Sequence, residues 1–385
     1  MQNEPKQDRT APRIPPPLGL VRQPTQADPR LDPKVLAAVA RIAPGTELRQ
    51  AIDDVIRSKE GALIVIGDPA ELAFLYSGGM RLDLAFTAQH VYELAKMDGA
   101  IIANTALTKL AYANVQLMPD PTIASNETGT RHRTAERVAK QTGALVISIS
   151  QQRSTISVFR GPARYQLDPI AELLAKTNQA LATLETYRQR LEQVLTRLTA
   201  LEFQNAVVLD DVLVVLQRAE MTTRMAAEIE RDCVELGSEG RLIRMQLTEL
   251  IGGVPAERAS VVYDYHVDSD GPKAQLALEA LHAVPYRQLL DFERLAELLG
   301  YPRDVNPLDY SVTPRGFRVL SHIPRLPEQV VKQVARDMSG LDSIVRASQR
   351  DLEAIAGVGA VRAREIREGL RRLQEHNLVD RYLQL

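Results

Sequence analysis

The sequence predicts an α/β domain on a mixed central sheet, then an all-α spine, then a C-terminal pair of helical hairpins. Three observations lead there. Short apolar runs of β type alternate with helical stretches over the first half of the chain. Apolar residues then recur at three- and four-residue steps along a polar background. Near the C-terminus one apolar pattern occurs twice. A chain of 385 residues is too long for one ordinary core. The changes of pattern divide it at 1–30, 31–165, 166–315 and 316–385.

The first thirty residues carry Pro5, Pro12, Pro15, Pro16, Pro17, Pro24 and Pro29 among Gln, Arg and Asp. Such a segment cannot bury enough apolar surface to order itself, and a disordered tail is expected. Strands are expected at 62–66, 99–103, 144–149 and 155–159, each apolar enough to be covered on both faces. A helix is expected over 87–97 with Thr87 as N-cap. Another starts around Thr134 and is stopped by a left-handed Gly143. Beyond 168, Leu184, Tyr187, Leu191, Val194, Leu198 and Leu201 form a heptad-like seam. The helical pattern resumes from 207 to 251 and breaks at Gly252-Gly253-Val254-Pro255; Cys233 inside it reads as a buried structural thiol. Residues 256–314 are rich in Leu and Tyr and look irregular. The repeat aligns Ile323-Pro324-Arg325-Leu326-Pro327 and Val330, Val331, Val334 with Ile355-Ala356-Gly357-Val358-Gly359 and Val361, Ala363, Ile366, as two packed hairpins would.

Composition narrows the function. A formal net charge of −2 makes no global demand for nucleic acid, so any such contact belongs to a local patch. A single cysteine excludes an internal disulfide and suits a reducing compartment. No apolar run is long enough to span a bilayer and no start resembles a signal peptide, so a soluble, cytoplasmic protein is expected. Aromatics are few and tryptophan is missing, which disfavours stacking platforms for single strands.

Three constellations carry chemistry. Arg131-His132-Arg133, flanked by Thr130 and Thr134, places cations where a helix start already carries partial positive charge. An anion docked there reverses the penalty, and forked guanidinium groups suit a polyphosphate. Asp98-Gly99-Ala100 sits at a helix–strand junction, where a carboxylate can hold a divalent metal or orient an attacking hydroxyl; alone, Asp-Gly is more often a turn. Gly357-Val358-Gly359 joins two helices so that backbone N–H groups can face a nucleic-acid phosphate, with Arg362 just beyond. Arg364, Arg367 and Arg371 then share one helix face. No Walker sequence and no dinucleotide fingerprint occurs.

These residues, with 86–102, Ala113-Asn114-Val115-Gln116-Leu117 and 127–137, resemble the DisA family of diadenylate cyclases over nearly the whole chain beyond the tail. The resemblance implies a cyclase domain, a helical spine and a DNA-binding helix–hairpin–helix domain, in that order. It implies synthesis of cyclic di-AMP and two pyrophosphates from two ATP, dependent on Mg²⁺ or Mn²⁺. Asp98 would bind the metal and help activate a ribose 3′-hydroxyl, Gly99 and Ala100 would lie against the nucleotide, and Leu117 would contact adenine. Thr130, Arg131, His132, Arg133 and Thr134 would hold the triphosphate, with Ser150 as a further phosphate contact. Gly357, Val358, Gly359, Arg362, Arg364 and Arg367 would meet branched or damaged DNA. A homo-octamer with cyclase domains face to face, associated with the nucleoid and not with membrane, is also implied. The competing expectation is a DNA-junction scaffold whose α/β domain senses nucleotide without turnover. A nuclease or ligase lacks the acidic cluster or lysine motif it would need.

Overall fold

The computed structural model describes residues 28–268 and 271–383, with side chains to 376. Packing separates two compact units. Unit 1 is the chain through Lys176 together with Arg231–Arg241; unit 2 is Thr177–Glu230 together with the chain from Leu242. Two expected boundaries move. Residues 1–27 of the expected tail lie outside the described residues, but its last residues are ordered. Asp28 caps a short 3-10 helix, Pro29–Leu31, and Arg30 is buried, paired with Asp232 at 2.6 Å and Glu235 at 3.1 Å. The spine and hairpins, expected as two domains, fall largely within unit 2 and keep separate apolar cores.

Unit 1 is a mixed sheet of eight strands: β1 (Ala62–Ile66), β2 (Tyr76–Ser77), β3 (Met80–Ala85), β4 (Ala100–Ala103), β5 (Lys109–Leu117), β6 (Leu145–Ile149), β7 (Ile156–Arg160) and β8 (Ala163–Gln166). Their order is β2-β5-β4-β1-β6-β7-β8, with β3 also on β5; β1 and β4 run parallel and the other pairs are antiparallel. Helices α1 (Pro33–Ile42), α2 (Glu47–Arg57) and α3 (Ala88–Ala95) cover one face, α4 (Thr130–Thr142) the other. Along β1, Ile64 and Ile66 enter the first layer while Leu63 and Val65 enter the second. This two-sided burial is why the run is apolar without alternation. Thr87 does cap α3, accepting from the His90 amide at 3.1 Å.

The α4 start differs from expectation. The helix begins at Thr130, four positions before Thr134, with Gly129 as an N-cap that offers no side chain. The basic triplet therefore occupies the first turn itself. Gly143 closes the helix at φ 69° as expected.

In unit 2 the seam lies on α5 (Ile170–Phe203): Leu184, Leu191 and Leu198 are fully buried, and Tyr187, Val194 and Leu201 are partly so. Helices α6 (Leu209–Leu236) and α7 (Arg241–Ile251) follow; the end of α6, with buried Cys233, belongs to unit 1. The stretch expected to be irregular is mostly helical. It contains α8 (Val254–Tyr265), α9 (Gly271–Ala283) and α10 (Phe292–Leu298), whose Tyr265, Leu281 and Leu295 join the seam's core. Five more helices complete the unit: α11 (Phe317–Ser321), α12 (Glu328–Asp337), α13 (Leu341–Arg346), α14 (Gln349–Glu353) and α15 (Ala360–Leu383).

The repeat takes a corrected register. Ile323 corresponds to Ile355, Leu326 to Val358, Val331 to Ala363 and Val334 to Ile366, all packed in one core. Val361, aligned above with Val330, is 71% exposed, and the true counterpart of Val330 is Arg362. Backbone geometry agrees: Arg325 and Gly357 occupy the same hairpin position and both are left-handed, at φ 65° and 82°.

A buried ionic knot explains why spine and hairpins are one unit. Arg318, 1% exposed, donates from Nε to Glu202 on α5 at 3.0 Å and from a terminal nitrogen to Thr199 at 2.6 Å. Tyr265 donates to the same Glu202 at 2.8 Å. Asp264 accepts the amides of Phe317 and Arg318 at 2.8 and 3.0 Å, filling the first turn of α11.

Candidate active site

Strand register brings the predicted residues of unit 1 to one end of the sheet. On the parallel pair Ile64 faces Ile101, so Gly61, ahead of β1, and Asp98-Gly99, ahead of β4, enter the sheet from the same end. Across the antiparallel neighbours, Ala62 faces Ile149 and Ala100 faces Val115. Ser150 follows the last residue of β6 and Leu117 is the last residue of β5, both at this same end. Leu117, Asp98, Gly61 and Ser150 thus stand at the ends of four adjacent strands, all on the same side of the sheet.

Arg131 reaches this end of the sheet from α4. Its guanidinium lies over Gly61, where an added Cβ would come within 1.8 Å of Nη1, and it donates to the Ile149 carbonyl at 3.4 Å. Because β5 ends at this side of the sheet, α4 starts there too, with its first-turn N–H groups uncapped by any side chain. Asp98, Thr130 and Arg133 are exposed, while Leu117, Arg131, His132, Thr134 and Ser150 are half-buried. Together they form an open shelf with the carboxylate and the cations at one edge.

The loop before α4 is pinned to it. Glu136 accepts from Ser125 Oγ at 2.5 Å and the Asn126 amide at 3.1 Å, and pairs with Lys140 at 2.7 Å. Arg137 donates to the Ile123 carbonyl at 2.9 Å. Glu127, next to the triplet, pairs with Arg164 of β8. Burial pushes the His132 imidazole below its ordinary pKa against the pull of Glu127, and Arg164, Arg131 and Arg153 push the same way. A neutral His132 keeps one ring N–H to donate and one nitrogen to accept. Its ring meets Phe159 edge-on at 6.5 Å.

Gly99 has a close neighbour within the sheet. At φ 96° it is packed on β5, where a Cβ would fall 2.9 Å from the Asn114 carbonyl carbon and the Val115 oxygen. Asn114 is itself left-handed at φ 54°, at an irregularity in the β4–β5 pairing, and Gly79 presses on it from the β3 side. Within the chain, the absence of a side chain at Gly99 permits a close approach of strand on strand. Ala100 is buried in the layer under α4. Sequence reasoning does not single out Gly61, Glu136, Glu127–Arg164 or Arg153. A glycine directly ahead of the first apolar run is the available signal for Gly61.

In unit 2, Gly357 and Gly359 are exposed at the turn into α15, and Arg362, Arg364 and Arg367 are exposed along it. Arg362 donates to the Gly357 carbonyl at 2.7 Å and so braces the turn. Val358 is 4% exposed, its side chain in the hairpin core, which leaves only its backbone for the expected phosphate contact.

Comparison with known proteins fits this division. The family described as "DisA bacterial checkpoint controller nucleotide-binding" matches residues 49–163, and "DisA bacterial checkpoint controller linker region" matches 167–308. A "DNA integrity scanning protein DisA" from Carboxydothermus hydrogenoformans is 47% identical over 344 residues, 89% of this chain and 98% of that protein. The chain belongs to the DisA family. Proteins of the same description from Acetivibrio thermocellus (44% identical, 92% of this chain, 99% of that one) and Parafrankia sp. (45%, 93% and 100%) agree. The DisA nucleotide-binding match contains Gly61, Asp98, Leu117 and Ser150 as well as the basic triplet.

Proposed function

We propose that this DisA chain is a diadenylate cyclase, condensing two ATP into cyclic di-AMP and two pyrophosphates. The observation that supports it best is that Asp98, ahead of β4, and the Arg131 guanidinium over Gly61, ahead of β1, lie at the same end of the sheet. In this reading the first-turn N–H groups of α4, Thr130, Thr134, Arg131 and Arg133 grip the triphosphate. Neutral His132 donates a hydrogen bond to it without adding charge. Leu117 meets the adenine, Ser150 adds a phosphate contact, and Asp98 orients the attacking 3′-hydroxyl.

The donor set also fits a divalent ion. Among the described residues no group of three or more His, Cys, Asp or Glu could hold a metal unaided. One exposed carboxylate beside a triphosphate suits Mg²⁺ (or Mn²⁺), which takes one or two carboxylates and the substrate's own phosphates. Bound with substrate, it would offset phosphate charge.

An open shelf holds one ATP, and a symmetric product needs two in-line attacks, so two copies meet shelf to shelf. A homo-octamer is the assembly we infer, working in the cytoplasm at the nucleoid; no helix among the described residues is long and apolar enough to cross a membrane. The exposed glycines and arginines of the second hairpin support binding of branched or damaged DNA through helix–hairpin–helix contacts. The test is incubation with ATP and Mg²⁺ followed by chromatography. Cyclic di-AMP and pyrophosphate in a one-to-two ratio are expected; ATP bound but unchanged would leave only a non-catalytic nucleotide sensor on a DNA scaffold.

A further inference from the structure

Unit 2 contains a cleft of about 670 Å³ that has no part in the functions above. It lies at the C-terminal end of α12, between that helix, the start of α13 and the segment around Arg315. Arg315, Lys332 and Arg336 line it, and Tyr263, Phe317 and Met338 give it an apolar floor. The two rings lie 5.4 Å apart, tilted by 46°.

The charges are unbalanced in a particular way. Arg315 directs its guanidinium at the carbonyls of Tyr263, Asp264 and Val267, at 3.2, 2.8 and 3.1 Å. Those bonds fix the group but leave its charge in place, with exposed Asp268 acting on it from outside the lining. Lys332 pairs with Glu328 one helical turn back, at 2.5 Å, and rests 5.4 Å above the Tyr263 ring. Arg336 is exposed at the rim. Among the described residues no Asp or Glu lines the cleft. A site of this size with cations over aromatic and thioether groups suits an anion carrying a flat ring. A bare phosphate would leave the floor empty.

We propose that this cleft binds a nucleotide, with its phosphate on Arg336 and Lys332 and its base against the Tyr263–Phe317–Met338 floor. The shared chemistry has two sources: a free nucleotide, or the terminal nucleotide of a nucleic-acid strand. The first hairpin turn lies at the opposite end of α12, about 15 Å along a ten-residue helix. The cleft is therefore distinct from the turn contacts, and it does not depend on the cyclase reading.

An azido-ATP photoprobe on the full-length chain tests it, with labelled peptides mapped. Label is expected on the stretch around 332–340, separate from any label around 117–134. Arg336→Glu combined with Lys332→Glu should lower the first by about a hundredfold, the loss of two charge-assisted contacts at roughly tenfold each. Arg336→Lys should keep most of it. Competition separates the sources: ATP alone competing means a free nucleotide, and a 5′-phosphorylated oligonucleotide competing better means a strand end. The proposal is overturned by absent label at 332–340, by label indifferent to the double charge reversal, or by orthophosphate competing as well as ATP. Loss of label at 117–134 alone would count against the cyclase site instead.

Discussion

At Gly61 a single hydrogen in place of a side chain decides where a guanidinium goes. Arg131 lies over the backbone that leads into β1, and the glycine has no left-handed conformation to preserve. Gly61→Ala should therefore displace Arg131 without straining the chain. We expect KM for ATP to rise about tenfold, the value of one charge-assisted contact, with thermal stability nearly unchanged. An unaltered KM would remove Arg131 from the cradle. His132 gives a second prediction, on pH. Its pKa is lowered in the folded chain by burial and by three arginines, so between that value and the ordinary one, near 6.5, the unfolded chain binds more protons. The histidine thus favours folding fully above about pH 6.5 and progressively less as the pH falls through the folded value. NMR titration of the ring should place its midpoint below those of the exposed histidines; a midpoint at or above theirs refutes the assignment.

Elements are legible where burial is two-sided. The runs at β1, β4, β6 and β7 announce themselves because both faces are covered, and each fully buried Val or Ile contributes about 2 kcal/mol to keeping them there. By contrast β5 hides its strand character, since its polar positions and left-handed Asn114 break the alternation on which such a reading depends. The α4 start lies earlier than its sequence suggests for a related reason. A Gly N-cap with cations in the first turn breaks the usual rules for helix starts, and such breaks concentrate at functional sites. Helices α8 to α10 are unreadable because their apolar residues meet several partners and show no clean stripe. Gly99→Val should destabilise unit 1 by roughly 1–3 kcal/mol, since it needs both a left-handed backbone and room against β5; denaturant unfolding measures it. In the second hairpin the two glycines part company. Gly357 is left-handed and Gly359 is not, and both have open space at the Cβ position. Gly357→Ala should weaken junction binding more than Gly359→Ala, since only Gly357 also loses its left-handed backbone, and equal losses would contradict the geometry.

On the scale of the whole chain, unit 2 depends on its ionic knot. Removing Arg318 would strand Glu202 in the interior without its cation, so Arg318→Ala should cost roughly 3–5 kcal/mol in chemical unfolding. Burial first, and Glu202 second, push the Asp264 carboxyl up to about 7, against two backbone donors and Arg318. Its folded pKa lies above its unfolded one, so its contribution to stability is full below about pH 3.8 and is lost as the pH rises through about 7. Asp264→Asn should flatten that part of the stability profile. Unit 1 rests on a simpler arrangement: one carboxylate and one cationic cradle at the same sheet end. The most direct test is cyclic di-AMP formation by Asp98→Asn beside the unaltered chain, with ATP binding measured in both. The account predicts a fall in turnover of at least about 100-fold with ATP still bound; a substituted chain that turns over ATP at the original rate would contradict it.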